Sequence, residues 1–346
     1  MTPECTLKVS SPAELIAAVP YLLGFHPADS VTVVAFRGPR VRFAARHDLP
    51  GPDQPADELR ADADHVAEVV ARQGVDGATV IGYGPAARVT PAVTRTAEAL
   101  RRQGLVVHDE LRVTDGRYWS YRCAEPECCP PEGLPCPPQN SAVAAAATYA
   151  GQVALPDRAA LVDQVGSVAG AERVAMTAAT ARAQGRLADL MARDLHDAGF
   201  ARLVRHSGRT AVRAAERCYR SGRRPGDDDV AWLGVLLIHL PVRDYAWERI
   251  GTEPWRVAMW TDVLRRVEPQ YLLAPACLLG FAAWRAGMGA LARVAVDRAL
   301  LRDPRYPMAR LLEDVLDYAL DPAAVRGWPR VTDPDDPGGD PRKVRA

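Results

Sequence analysis

An α/β domain followed by an all-helical domain is the fold class this sequence predicts, and three observations carry it. Between residues 31 and 122 short β-branched runs alternate with stretches of helical period. Beyond residue 141 the apolar residues recur at helical spacing alone. Between the two, Cys123 to Gln139 holds six Pro and four Cys, a composition that regular structure cannot accommodate. At roughly 100 to 200 residues per domain, 346 residues suffice for two. The expected domains are 1–140, α/β and ending in the Cys/Pro-rich loop, and 141–330, helical. The Pro-, Gly-, Asp- and Arg-rich residues 331–346 are expected to form a disordered tail.

The elements follow in order. Ser11-Pro12-Ala13-Glu14 reads as a capping box with Pro in the first helical position, opening a helix that Gly24 stops near Leu23. Val31 to Phe36 and Val41 to Arg46 are strands, joined through Arg37-Gly38-Pro39-Arg40 as a hairpin. A helix over 56–73 sets Leu59, Ala63, Val66 and Val70 on one face. Gly77 to Gly82 is a strand, and Pro91 to Gln103 a helix capped by Thr90 and ended by Gly104. Leu105 to Val113 follows as a strand. These spacings favour βαβ crossovers, hence a mostly parallel sheet. Thr114-Asp115-Gly116-Arg117 is an Asp-Gly turn that adds Tyr118 to Arg122 as an antiparallel hairpin strand. In the helical part, breaks are expected near Gly151, Gly166, Gly199, Gly222, Gly251, Pro269, Gly287 and Pro304.

Within that part, Leu279-Gly280, Ala292, Ala299 and Pro304 fall at the offsets of a 34-residue helical hairpin of tetratricopeptide type. Trp255 to Pro269 resembles the second helix of a degenerate copy. Small residues are needed where paired helices approach closely, and such hairpins can present a surface to a protein partner.

Composition narrows the function classes. With 48% hydrophobic and 25% charged residues the chain is ordinary for a globular protein, which excludes collagen-like and disulfide-scaffold readings. Lys+Arg and Asp+Glu both number 43, which removes any global electrostatic argument for nucleic acid or an anionic membrane. Lys occurs only at positions 8 and 343, so nearly all the positive charge is Arg, read as the codon usage of a GC-rich genome. The N-terminus shows no basic segment followed by an apolar core, and Val230 to Val242 is too short to span a bilayer, so a cytoplasmic protein is expected. Its cysteines should be reduced.

Four clusters could carry chemistry. Trp119 and Tyr121 precede Cys123, Cys128, Cys129 and Cys136, four thiols that could serve as zinc ligands. Their C-x4-C-C-x6-C spacing departs from paired C-x2-C knuckles, so a Pro-braced loop packed on Trp119 is the default, with zinc, a regulatory disulfide and a reactive thiolate as the alternatives. Glu132 in the same loop is a candidate ligand-binding or acid/base carboxylate. His26, Asp29 and Ser30 share a loop and include the residue types of a hydrolytic triad, although turn formation explains them as well. Gly82-Tyr83-Gly84 follows a strand but lacks the third Gly of a dinucleotide turn, position 87 being Ala, and the helix expected at Thr90 begins too late to cradle a phosphate. His47-Asp48 and Arg243-Asp244 read as local ion pairs or caps.

Ser10-Ser11-Pro12 through Leu23-Gly24-Phe25-His26-Pro27, with Asp29-Ser30 and Asp48-Leu49-Pro50, resembles the opening of the actinobacterial domain of unknown function family 4192. Trp119, Cys123, Cys128-Cys129-Pro130 and Glu132-Gly133 are similar to its middle signature, and Arg243-Asp244 with Gly280 to Ala299 to its helical part. The resemblance spans nearly the whole chain and implies an actinobacterial, cytoplasmic protein; the family pattern does not include Cys136. The expectation is a binding or regulatory module, holding a small ligand around His26, Asp29, Trp119 and Glu132 and a protein partner on the helices. The alternative is a hydrolase or transferase using His26 and Asp29 with a residue of the 119–136 loop.

Overall fold

A computed structural model describes residues 10–51, 53–138, 140–193 and 197–324. The expected tail, 331–346, lies outside the described residues. The chain divides into two compact units. One takes the chain up to Gly166 with Met288–Arg298 and Arg310–Ala319; the other takes Ser167–Gly287, Ala299–Ala309 and the residues from Leu320 onward.

The first unit opens with α1 (Pro12–Leu23), whose Ser11 hydroxyl accepts the Glu14 amide at 3.2 Å. The return bond of the box is displaced by one residue, because Glu14 accepts from the amide and hydroxyl of Ser10, both at 2.7 Å. Gly24 ends the helix in the left-handed conformation at φ 84°, where only glycine is unstrained. There follow β1 (Ser30–Arg37), β2 (Arg40–Asp48), α2 (Ala56–Ala71), β3 (Gly77–Tyr83), α3 (Ala86–Arg102), β4 (Val106–Thr114), β5 (Arg117–Ser120) and the two-residue β6 (Leu134–Pro135).

One six-stranded sheet results, in the order β2-β1-β3-β4-β5-β6. It is mixed and mainly antiparallel, against the expected mostly parallel arrangement: only β3 and β4 run parallel. The cause is topological. The β1–β2 hairpin reverses the chain, and the crossover through α2 carries β3 past β2 to the far side of β1, so that β1 meets antiparallel neighbours on both sides. β1 is accordingly buried from Ser30 to Ala35, and reads as the uninterrupted apolar run of a covered strand.

Two apolar clusters cover the sheet. On one face Val31, Val33, Ala35, Val80 and Val107 meet Ala63, Ala67 and Val70 of α2 and Val89, Val93, Ala97 and Leu100 of α3. On the other, Val34, Ile81, Leu111 and Tyr118 meet Leu15, Ile16 and Val19 of α1. At Gly82 a Cβ would lie 2.2 Å from Val89 and 2.7 Å from Val93, so glycine is what lets α3 lie this close to the strand.

α3 begins at Ala86, five residues before the expected start at Pro91. Pro91 is a common opening signal, yet here it sits inside the helix, where it forfeits the bond to the Ala87 carbonyl and crowds that carbonyl with its ring. Thr90 is therefore not a cap. The unit continues through α4 (Ala142–Tyr149), capped by Ser141, and α5 (Arg158–Gln164), capped by Asp157.

The second unit is helical: α6 (Gly170–Arg193), α7 (Asp197–Arg220), α8 (Asp227–Leu236), α9 (Leu240–Glu248), α10 (Pro254–Arg266) and α11 (Leu273–Arg285). Two further helices, α12 (Gly289–Arg302) and α13 (Pro307–Asp317), follow among the described residues. The division between α6 and α7 falls close to Gly199, where a break is expected, and one that the sequence did not signal separates α8 from α9 around Ile238. Arginines tie the second unit together. Arg173 donates to the carbonyls of Arg265, Arg266 and Val267, the C-terminal end of α10, and to the Glu268 carboxylate. One fork thus satisfies the orphan acceptors of a helix terminus. Among the described residues no helix is long and apolar enough to cross a membrane.

Candidate functional site

The Asp-Gly turn fixes the site's geometry. Asp115 and Gly116 both have positive φ, 50° and 72°, as a tight hairpin of this type requires. The turn sets Val113 opposite Tyr118 and Arg112 opposite Trp119. Arg112 lies on the same row of the sheet as Gly82, hence on the α3 face. Its guanidinium stacks over the Trp119 ring, 3.7 Å from the centroid.

The Cys/Pro loop closes around this pair. Trp119 Nε1 donates to the Pro131 carbonyl at 2.9 Å, and Arg117 donates to the carbonyls of Glu132 and Gly133, each at 2.7 Å. Gly133 has φ 78°, and a Cβ there would sit 2.4 Å from the Trp119 ring. Both the backbone conformation and the contact demand glycine. β6 then pairs with β5, and the Cys136 amide donates to Gly116.

Between α3's first turns, β4, β5 and the loop lies a cavity of about 330 Å³. Ala86 and Thr90 line one side, Arg112, Trp119 and Tyr121 another, and Cys123, Cys129 and Pro130 a third. The Thr90 and Tyr121 hydroxyls meet at 2.6 Å across its wall. Arg112 Nε is buried with no hydrogen-bond partner, and among the described residues no carboxylate pairs with the guanidinium. The cavity thus presents an uncompensated positive charge on an aromatic floor.

Three of the four cysteines converge. The Sγ atoms of Cys123, Cys128 and Cys129 all lie within 4.8 Å of one another, with Cys128 and Cys129 at 4.0 Å. The turn that gathers them is held by the Glu125 carbonyl, which accepts from the amides of Cys128 (3.1 Å) and Cys129 (2.7 Å). Hydrogen bonding from Cys129, and then from the Glu125 amide, lowers the Cys123 pKa; the Cys129 thiol, held by its bond to Cys123, is pushed up to about 12. Cys136 is not in this group. It packs against the apolar cluster beneath α1, and burial raises its pKa.

The remaining candidates stand apart. His26 is half-buried beside the Phe25–Leu155 bridge, its amide bonded to the Leu155 carbonyl at 2.9 Å. Asp29, at φ 41°, pairs with Arg88 at 2.8 Å. The strand it precedes is three strands away from β5, about 14 Å at the usual spacing, and neither residue lines the cavity. Glu132 contributes its carbonyl rather than its carboxylate. Because α3 starts at Ala86, a helix N-terminus does follow Gly82-Tyr83-Gly84, contrary to expectation; Asp29 Oδ1 approaches Gly84 there, a carboxylate where a phosphate would be cradled. Arg243 does pair with its neighbour Asp244, at 2.7 Å, whereas Asp48 pairs with Arg46 and not His47. Arg112 and Thr90 are the residues that sequence reasoning missed. Counting back from the Asp-Gly turn would have found Arg112, since a two-residue turn fixes which residues face each other.

The class that fold and site define is a mixed α/β unit with a thiol-flanked, cationic pocket, joined in one chain to a helical unit. A family model described as a domain of unknown function (DUF4192) matches residues 12–323, and the chain belongs to that family. No curated protein and no solved structure matches significantly.

Proposed function

We propose that the first unit binds a small organic anion with a flat apolar body, in the cavity floored by Trp119. The observation that carries this reading is Arg112: half-buried, stacked on an indole and, among the described residues, without a carboxylate partner. Its Nε–H is a buried donor without an acceptor, a small cost that a ligand oxygen would relieve. The Thr90–Tyr121 hydroxyl pair leaves one O–H free to donate, the Ser120 hydroxyl being committed to Asp109, and the cavity is at the small end of ligand pockets. Binding rather than acid/base chemistry is favoured because neither His nor a carboxylate is among the lining residues. A regulatory role follows if the helical unit reads out occupancy to a protein partner. Gly280 and Ala299, small residues of the helical unit at offsets of the tetratricopeptide type, are both buried and support that reading.

The test is calorimetric titration with benzoate and phenyl phosphate, and with benzylamine as a cation of similar size. The two anions should bind the wild-type protein and lose at least ~10-fold in affinity on Arg112→Met, the cost of one charge-assisted bond. Equal binding of benzylamine, or anion binding that survives R112M, would sink the reading.

A further inference from the structure

We infer that Cys123, Cys128 and Cys129 form a three-thiolate zinc site whose fourth coordination position opens onto the Trp119 cavity. Packing does not account for these residues. Cysteine is among the most buried residue types, yet Cys128 is exposed and Cys123 and Cys129 only half-buried, and the loop brings all three sulfurs to one point. A disulfide does not account for them either. Three thiols leave one over, and adjacent cysteines at a sulfur separation of 4.0 Å are far from bonding distance.

The spacing does suit a metal. Zinc–sulfur bonds of about 2.3 Å in a tetrahedron place sulfurs about 3.8 Å apart. The 4.0 Å between Cys128 and Cys129 is already there, and all three sulfurs lie within 4.8 Å of one another. The surrounding loop supplies what thiolate ligands need. The Glu125 carbonyl holds the Cys128–Cys129 turn, so one residue orients two of the three ligands. Soft sulfur donors in this geometry select zinc over magnesium or calcium.

Cys136 is excluded as the fourth ligand by its place against the α1 cluster. Three protein ligands leave one tetrahedral position for water or a ligand, the arrangement of reactive rather than purely structural zinc. Cys123 and Cys129 both line the cavity, so that position faces the same space as Arg112. The inference rests on the proposed anion site only for the identity of the fourth ligand: an anion held by Arg112 could reach the metal with its other end.

The experiment is a cobalt(II) titration of the full-length, reduced protein under anaerobic conditions. One equivalent should produce the thiolate-to-cobalt charge-transfer band and the intense visible bands of tetrahedral cobalt, and zinc should bleach them. C123S, C128S and C129S should each abolish the tetrahedral spectrum while keeping wild-type circular dichroism, and C136S should retain it in full. Azide, a small monodentate anion, should shift the visible bands if the fourth position is open. Absence of the bands, their loss in C136S, an iron–sulfur chromophore in the protein as isolated, or bands indifferent to azide would each overturn the proposal. Titration of the cobalt-free protein with benzoate reports on the anion site separately, so failure of one is distinguishable from failure of the other.

Discussion

Arg112 in the α/β unit and Arg266 in the helical unit are the same residue type in opposite circumstances. Arg266 is 3% exposed and paired with carboxylates: its terminal nitrogens donate to Asp262 at 3.0 Å, to Asp227, and to the Pro225 carbonyl at 3.1 Å, although its Nε, like that of Arg112, has no hydrogen-bond partner. Asp262 in turn accepts from Arg224 at 2.8 Å and from the Tyr219 hydroxyl. Nearby, Arg256 and Arg249 share Glu216. These forks hold helices together, and each buried charge has its counter-charge, as buried ions must. Arg112 has an indole face and no carboxylate. The contrast separates arginine as internal cross-link from arginine kept available, a distinction that composition, dominated by Arg throughout, conceals.

The largest effect that could break this comparison is expected in the helical unit. Asp262→Asn should destabilise the protein by about 3 kcal/mol in chemical denaturation, since it strips a buried carboxylate from two guanidinium groups. Its pH dependence follows from the same network. Burial by itself would raise the Asp262 pKa, but hydrogen bonds from Arg224 and Tyr219 and the charge of Arg266 outweigh it and leave the value lowered. A carboxyl depressed in the folded state stabilises fully above its unfolded pKa of about 3.9 and loses that contribution as pH falls toward the folded value. The wild-type protein should therefore lose stability in acid more steeply than D262N. Parallel acid limbs would show that Asp262 is not the link.

Next in size is Gly133→Ala. A methyl group 2.4 Å from the indole, at φ 78°, should cost roughly 1–3 kcal/mol and displace Trp119. Near-ultraviolet circular dichroism would report the displacement, and an unchanged tryptophan signal would mean the loop is not pinned as described. The smallest stability effect belongs to Arg112→Met, at most about 1 kcal/mol, because only a cation–π contact is lost. A loss as large as that of D262N would show that Arg112 is structural after all.

What the sequence made legible was local. Ser11 with Glu14, the left-handed Gly24 and the Asp115-Gly116 turn are fixed by their own side chains or backbone preferences, and each is found where expected. Strand order is not local. The spacing of strand, helix and strand is the same whether a crossover lands beside its starting strand or beyond the next one, and the β1–β2 hairpin made it the latter. Pro91 misled because proline marks a helix start only statistically, and the packing of Val89 and Val93 over Gly82 extends α3 past it. For the candidate site, Trp119 and the cysteine loop were visible as a cluster. Cys136 could not be told from its neighbours until β6 turned it toward α1, and His26 with Asp29 shared a loop without sharing the cavity.

The central claim is that Arg112 is held for a ligand rather than for the fold, and one measurement addresses both halves of it. Unfolding free energies of wild type and R112M are compared with and without phenyl phosphate at ten times its wild-type Kd. Wild type should gain about 1.4 kcal/mol from a ligand at that concentration, whereas R112M should gain about 0.4 kcal/mol at most and, without ligand, be nearly as stable as wild type. Equal stabilisation of both proteins, or a ligand-free R112M that is strongly destabilised, would contradict the account.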